Sequence, residues 1–306
     1  LGAQVKPTTG RSEGPWTILK LIRWTTDFLG SKGVDTPRLD AEVLLADLLG
    51  LGRVDLYLQF DRPLNPEELS GYRERVKRRG AREPVAYIVG HKEFYSLDLQ
   101  VNSEVLIPRP ETELLVDEAL ALIKARWPEH PDLCLADLGT GSGAVAIALA
   151  NRIQGARILA VDIHGPALAV AAANARRHGV EDRVDFVQGD LLEPLQASGG
   201  LFQVVAANLP YVPSGAFVDM APDVRDYEPH RSLDGGVDGL GLIERAVAGG
   251  RALLPDDGVM LLEIWPDHGP RLVELGRENG FDRVRLVKDL AGHNRIAVLD
   301  ALGEGD

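Results

Sequence analysis

Hydrophobic and polar positions change their spacing twice along this chain. From Trp16 to about Gly90 the apolar residues recur at helical intervals, with no strand-like alternation. The stretch Trp16 to Ile22 follows Pro15, a favourable first-turn residue. Thr36-Pro37 opens a second helix carrying Leu39, Val43, Leu44, Ala46, Leu48 and Leu49, and Gly50 stops it. Asn65-Pro66-Glu67-Glu68 is the start signal of a third, running to Gly80. These signs predict a small all-helical domain over residues 16–90. Alternation then appears at Phe94, Ser96, Leu97, Leu99 and Val101, which predicts a hairpin within residues 91–106 linking two domains. Ile107-Pro108-Arg109-Pro110-Glu111-Thr112-Glu113 opens a long helix that reaches about Arg126.

From Leu133 onward strand and helix patterns alternate. Strands are predicted at Leu133 to Leu138, Arg157 to Val161, Val184 to Val187, Phe202 to Ala207 and Gly258 to Ile264. Helices are predicted at Ala144 to Ile153, Pro166 to His178, Leu240 to Leu254 and Pro270 to Asn279. Two more strands, Val284 to Val287 and Arg295 to Leu299, close the chain. Such alternation calls for an α/β fold, a mostly parallel sheet with helices on both faces. Only seven residues separate the last two strands, too few for a parallel crossover, so that pair is expected to be an antiparallel hairpin. The second domain is placed at residues 107–306.

Composition narrows the classes. The 306 residues are 45% apolar and 26% charged, an ordinary globular balance for two domains. No apolar run is long enough to span a membrane, and residues 1–15 read as a flexible leader without a signal-peptide pattern. The single cysteine, Cys134, lies in an apolar strand pattern and is expected to be a small core residue in a reducing, cytoplasmic setting. The net charge of −13 divides into +2 over residues 1–90 and −15 over the remainder. That acidic body argues against stable, sequence-independent binding to nucleic acid. A basic run from Arg73 to Arg82 is the local exception; it reads as a solvated helix face, with a partner-docking patch as the alternative.

Three rim segments carry candidate chemistry. Asp137-Leu138-Gly139-Thr140-Gly141-Ser142-Gly143 joins the first sheet strand to its helix, and its glycines allow a tight turn and close backbone approach to a ligand. Asp162 ends the second strand, placed to accept from two ribose hydroxyls; Gly189-Asp190-Leu191 ends the third, where Asp190 can accept from an adenine amino group and Leu191 cover the ring. The same letters suit a nicotinamide dinucleotide. A carboxylate at Asp137 is poorly placed for a pyrophosphate and well placed for the α-ammonium of S-adenosyl-L-methionine. Asn208-Leu209-Pro210-Tyr211 follows the fourth strand. There an Asn carboxamide, restrained backbone carbonyls and a flat ring can grip a planar –NH2 group, although an Asn–Pro turn is the plainer reading. The lone cysteine and seven histidines match no metal-ligand spacing, so no metal is expected.

In this order and spacing the segments resemble the class I S-adenosylmethionine-dependent methyltransferases that act on planar nitrogens. Within them the chain is similar to the HemK-type protein-(glutamine-N5) methyltransferases, which modify peptide chain release factors. Residues 107–113, Glu228-Pro229 with Leu233 to Leu240, and Asp289-Leu290-Ala291-Gly292 with Arg295 carry the narrower resemblance, as does a helical domain ahead of a hairpin. It implies a Rossmann-like methyltransferase sheet of seven strands, S-adenosyl-L-methionine as methyl donor, and a release factor as protein substrate. The Asn208 oxygen and Leu209 carbonyl are expected to accept the two N–H bonds of the target amide, and Arg109 and Glu228 are expected either to shape the substrate channel or to be structural ion-pair partners. Two departures stand out. Leu209 replaces the family's usual second-place proline, giving a motif similar to that of rRNA adenine N6-dimethyltransferases, and Glu263 to His268 stands where a Gly and a Gln are common. An adenine N6-methyltransferase, an NAD-dependent dehydrogenase and a non-catalytic nucleotide-binding module remain the alternatives.

Overall fold

The computed structural model describes residues 14–128 and 132–301. All of the expected leader except Gly14 and Pro15 lies outside them. The chain divides into two compact units, one ending at Val89 and one beginning at Gly90.

Among the described residues of the first unit five helices follow one another: α1 (Ile18–Ser31), α2 (Pro37–Leu49), α3 (Arg53–Leu58), α4 (Pro66–Gly80) and α5 (Val85–Val89). Their starts are chemical. The Thr17 hydroxyl accepts from Lys20 N, and Asn65 and Glu68 exchange side-chain-to-backbone bonds of 2.8 and 2.9 Å in a capping box that begins α4. Ile18, Leu44, Leu45, Leu56, Tyr72 and Val76 form the shared core. The basic run is not the solvated face expected of it. Arg79 is buried and pairs with buried Asp40 at 2.6 Å, Arg75 pairs with Asp47, and Arg78 holds Glu83 at 2.5 Å. The acidic partners on α2 stand more than 25 positions away in sequence, so counting charges along the run could not reveal them. Arg73 and Lys77 do face solvent. The short helices α3 and α5 leave no mark in the hydrophobic pattern, because five or six residues are too few to show a period.

The second unit opens with a hairpin, β1 (His91–Phe94) and β2 (Leu97–Gln100), turning through Tyr95 and Ser96 at φ +52° and +63°. Then come α6 (Pro110–Arg126), β3 (Cys134–Leu138), α7 (Ala144–Arg152), β4 (Arg157–Asp162), α8 (Gly165–Arg177) and β5 (Val184–Gln188). After the short α9 (Glu193–Ser198) follow β6 (Val204–Ala207), a one-turn α10 (Pro222–Arg225), α11 (Gly241–Gly250), β7 (Val259–Glu263), α12 (Gly269–Glu278), β8 (Arg283–Lys288) and β9 (Asn294–Asp300). The seven-stranded sheet runs β5-β4-β3-β6-β7-β9-β8, parallel except for β9, which is antiparallel to both β7 and β8. The final antiparallel hairpin and the mostly parallel sheet are therefore as the spacing predicts.

Alternate residues of the central strands feed two cores. Leu135, Val204 and Ala206 pack with Leu115, Val116 and Ile147 of α6 and α7 on one face. Ala136, Leu138, Val205 and Ala207 pack with Ile243 and Leu272 of α11 and α12 on the other. Cys134 departs from expectation: it is exposed, because it begins β3 before the strand enters the sheet's covered centre. Strand order reverses between β3 and β6, and the carboxyl ends of two strands that diverge in this way leave a crevice. Among the described residues, no helix is long and apolar enough to cross a membrane.

Candidate active site

A cleft of about 230 Å³ opens at that reversal. Its wall includes Asp137 near the end of β3, Gly139, Thr140, Gly141 and Ser142 in the turn that follows, Asp162 at the end of β4, and Asp190 and Leu191 after β5. Asn208, Leu209 and Pro210 after β6 complete it, with Arg109 at the head of α6. Gly143, Tyr211 and Glu228, also singled out from the sequence, do not line it.

The glycine turn requires glycine. Gly139 has φ +69°, and a Cβ there would stand 3.2 Å from Leu209 Cδ2 and 3.5 Å from the Asn208 carbonyl oxygen. The turn after β3 and the segment after β6 thus touch at this residue. Gly143, at φ +82°, lets α7 begin 2.8 Å (Ile147 Cδ1) and 3.1 Å (Ala171 Cβ) from where its own Cβ would stand.

Asp137 is 1% exposed. Its Oδ2 accepts from the Thr140 hydroxyl at 2.7 Å and from Ala146 N, in the first turn of α7, at 3.1 Å. Burial pushes its carboxyl up to about 7, against those two bonds, which favour the anion. An amide at the α7 N-terminus is thereby taken by an internal carboxylate. The same amide is among those a pyrophosphate would need, so the turn suits a cofactor without phosphates.

Asp162 meets the requirement for a ribose diol. Its Oδ2 accepts from Gly141 N and its Oδ1 from His164 N, each at 2.9 Å, which fixes the carboxylate while each oxygen keeps a lone pair for a hydroxyl. Asp190 faces the same cleft, and its Oδ2 accepts from Arg245 Nη2 at 2.6 Å, a partner that the sequence does not indicate. Glu104, His164 and Arg231 meet at the rim, with Glu104 Oε2 lying 2.6 Å from His164 Nε2 and 3.1 Å from Arg231 Nη2. The hydrogen bond to His164 holds the Glu104 carboxyl below its usual range.

At the other end of the cleft, Asn208 donates from Nδ2 to Thr112 Oγ1 at 3.0 Å. The Leu209 carbonyl takes no backbone hydrogen bond among the described residues, and the Leu209 side chain is buried against the turn. Tyr211 turns its hydroxyl to buried Glu263, donating at 2.8 Å, and its ring lies 6.4 Å from that of Trp265. Burial, and then Glu263 beside it, push the Tyr211 phenol far up; burial likewise raises Glu263. Glu263 Oε2 and Arg295 Nε are both buried without a hydrogen-bond partner among the described residues. Glu228 is buried, pairs with Arg109 and accepts from Ile107 N at 3.2 Å, so it holds the 107–109 segment in place. Among the described residues, no group of three His, Cys, Asp or Glu is placed to hold a metal ion.

The sheet with its reversed last strand, the glycine turn whose helix amide is taken by Asp137, and the carboxylate at the end of β4 define a class I S-adenosylmethionine-dependent methyltransferase. A family model described as the PrmC N-terminal domain matches residues 20–90, and one described as a methyltransferase domain matches residues 135–226. The release factor glutamine methyltransferase of Rhodopirellula baltica is 41% identical, over 93% of this chain and 96% of its own length. That of Geobacter sulfurreducens is 40% identical, over 92% and 95%. The chain belongs to the release factor glutamine methyltransferase family. Among solved structures, the hMettl16 catalytic domain in complex with a MAT2A 3′UTR hairpin superposes with a TM-score of 0.57, covering 76% of this chain and 84% of that one. At 15% identity this is a likeness of fold alone.

Proposed function

We propose that this protein transfers a methyl group from S-adenosyl-L-methionine to the side-chain amide nitrogen of a glutamine in a peptide chain release factor, acting in the cytoplasm. The observation that carries the reading is the junction at Gly139. There the cofactor turn and the Asn208–Leu209 segment touch, so a bound methyl donor and a planar amide held by that segment meet in one cleft.

S-adenosyl-L-methionine supplies an electrophilic methyl on a sulfonium and leaves as S-adenosyl-L-homocysteine. Asp162 would accept from its ribose hydroxyls, Leu191 and Asp190 would flank its base, and Asp137 would face its ammonium end. The amide nitrogen of glutamine is a poor nucleophile, because its lone pair is delocalised into the carbonyl. Asn208 Oδ1 and the Leu209 carbonyl would accept its two N–H bonds, orienting the nitrogen and drawing density toward it. These contacts strengthen as the nitrogen becomes positive, so they favour the transition state over the ground state. The proton can leave to water after transfer, and no histidine base is required. Pro210 restrains the Leu209 carbonyl, and Tyr211, anchored by Glu263, holds the segment from behind.

The acidic body supports a protein rather than a nucleic-acid substrate. The Asn-Leu-Pro-Tyr wording supports the competing adenine reading, and one experiment separates the two. The protein is incubated with labelled S-adenosyl-L-methionine and either release factors or 16S-type rRNA, followed by mass analysis of peptides and nucleosides. Methylglutamine in a release factor is expected. Methyladenine in RNA with no modified glutamine would overturn the reading.

A further inference from the structure

The carboxamide of Asn208 has two orientations of nearly equal shape, and only one turns an acceptor to the cleft. In the other, its NH2 would meet the N–H bonds of the target amide, donor against donor. What selects between them lies outside the motif. Thr112, in the first turn of α6, is buried, and its Oγ1 accepts from Asn208 Nδ2 at 3.0 Å. A hydroxyl is amphoteric, however, and could equally donate to the Asn208 oxygen. Its direction is decided by its other neighbour.

That neighbour is Glu263. Ala207 of β6 pairs with Leu262 of β7, so Asn208 and Glu263 emerge at the same level from adjacent strands. Glu263 is buried, which raises its carboxyl; the hydroxyls of Thr112 and Tyr211 and the Arg295 guanidinium beside it act the other way and favour the charged form. Its Oε1 already accepts from the Tyr211 hydroxyl, and its Oε2 has no hydrogen-bond partner among the described residues. In its ionised form the Glu263 carboxylate only accepts, and it then draws the Thr112 proton toward itself and leaves the Thr112 lone pair for the Asn208 NH2.

Building on the glutamine reading above, we propose that Thr112 is a positioning residue: oriented by Glu263, it holds the Asn208 NH2 so that the carboxamide oxygen faces the substrate amide. The same carboxylate anchors Tyr211, so both ends of the Asn208–Tyr211 segment are set by one buried group. Thr112 also lines the cleft, and the role proposed for it is exerted through Asn208.

The test is a cycle of variants, read for both kinetics and hydrogen bonding. Thr112→Val keeps the shape and removes the hydroxyl. It should lower kcat on a release-factor substrate roughly tenfold, the loss of one hydrogen bond, with KM and S-adenosyl-L-methionine affinity near wild type. Thr112→Ser should restore most of kcat. In an Asn208→Ala background Thr112→Val should add no further loss. Wild-type kcat in Thr112→Val, or an equal loss from it when Asn208 is already absent, would overturn the proposal. Independently of any substrate, 15N NMR should show the Asn208 side-chain NH2 protected from exchange in the wild type and released in Thr112→Val. An unchanged Asn208 signal would likewise overturn it. A wild-type protein that methylates no glutamine would sink the functional reading, while the NMR comparison would still decide the role of Thr112.

Discussion

Replacing Asp137 with Asn tests the most heavily desolvated acid in the cofactor turn. Its folded pKa is raised from an ordinary 3.8 to about 7 by burial. The raised value means that folding favours the protonated form, so this group's contribution to stability is complete below about pH 4 and is lost as pH rises through 7. Across that window stability falls by about 1.4 kcal/mol for each pH unit, so between pH 5 and pH 8 the loss amounts to about 3 kcal/mol. Asp137→Asn cannot ionise and should escape it. The Asn must rearrange the bonds now made to Thr140 and Ala146 N, which adds a constant offset, so the slope with pH is the quantity to read. Urea unfolding of cofactor-free protein at pH 5, 6.5 and 8 should show the wild type losing ground to the variant as pH rises. Parallel stability curves would refute the assignment of this proton to Asp137. A carboxyl that faces the cofactor's ammonium group should also lose its proton on binding. Calorimetry at pH 7 in two buffers of different ionisation enthalpy should then detect proton release by the wild type and none by the variant.

Asp162→Ala should remove charge-assisted hydrogen bonds of ~1.5–3 kcal/mol and weaken S-adenosyl-L-methionine roughly 10- to 150-fold. Unchanged affinity by calorimetry, with the fold intact, would place the ribose elsewhere. In the helical unit, Arg79→Ala strands buried Asp40 without its partner and should cost ~3–5 kcal/mol by thermal or chemical unfolding. Charge reversal at exposed Arg73 and Lys77 should leave stability near wild type, which makes those two the positions at which to test docking of a partner to this helix.

What can be read from the sequence follows how local each signal is. Strand and helix alternation after Leu133 needs only near neighbours, and the sheet has its final pair antiparallel and lies within a few residues of the expected bounds. The glycine turn and the acids after β4 and β5 are legible for the same reason, since strand ends in an α/β sheet face one rim whatever joins them. The hairpin shows in the alternation but its turn does not. Tyr95 and Ser96 adopt positive φ without the Asn or Gly that usually announces it. Charges mislead where partners are distant: the basic run looks solvated until α2 brings Asp40 and Asp47 against it.

The supports of the Asn208 segment are illegible for a further reason. Thr112 and Glu263 lie 96 residues before and 55 after Asn208, and nothing in their own surroundings marks them as a pair. Only the β6–β7 register and the seating of α6 bring them together. Sequence thus reports the groups that would touch cofactor and substrate, which cluster in short rim segments. The groups that would aim them are chosen by the fold, and a buried carboxylate oxygen with no hydrogen-bond partner among the described residues is the trace they leave.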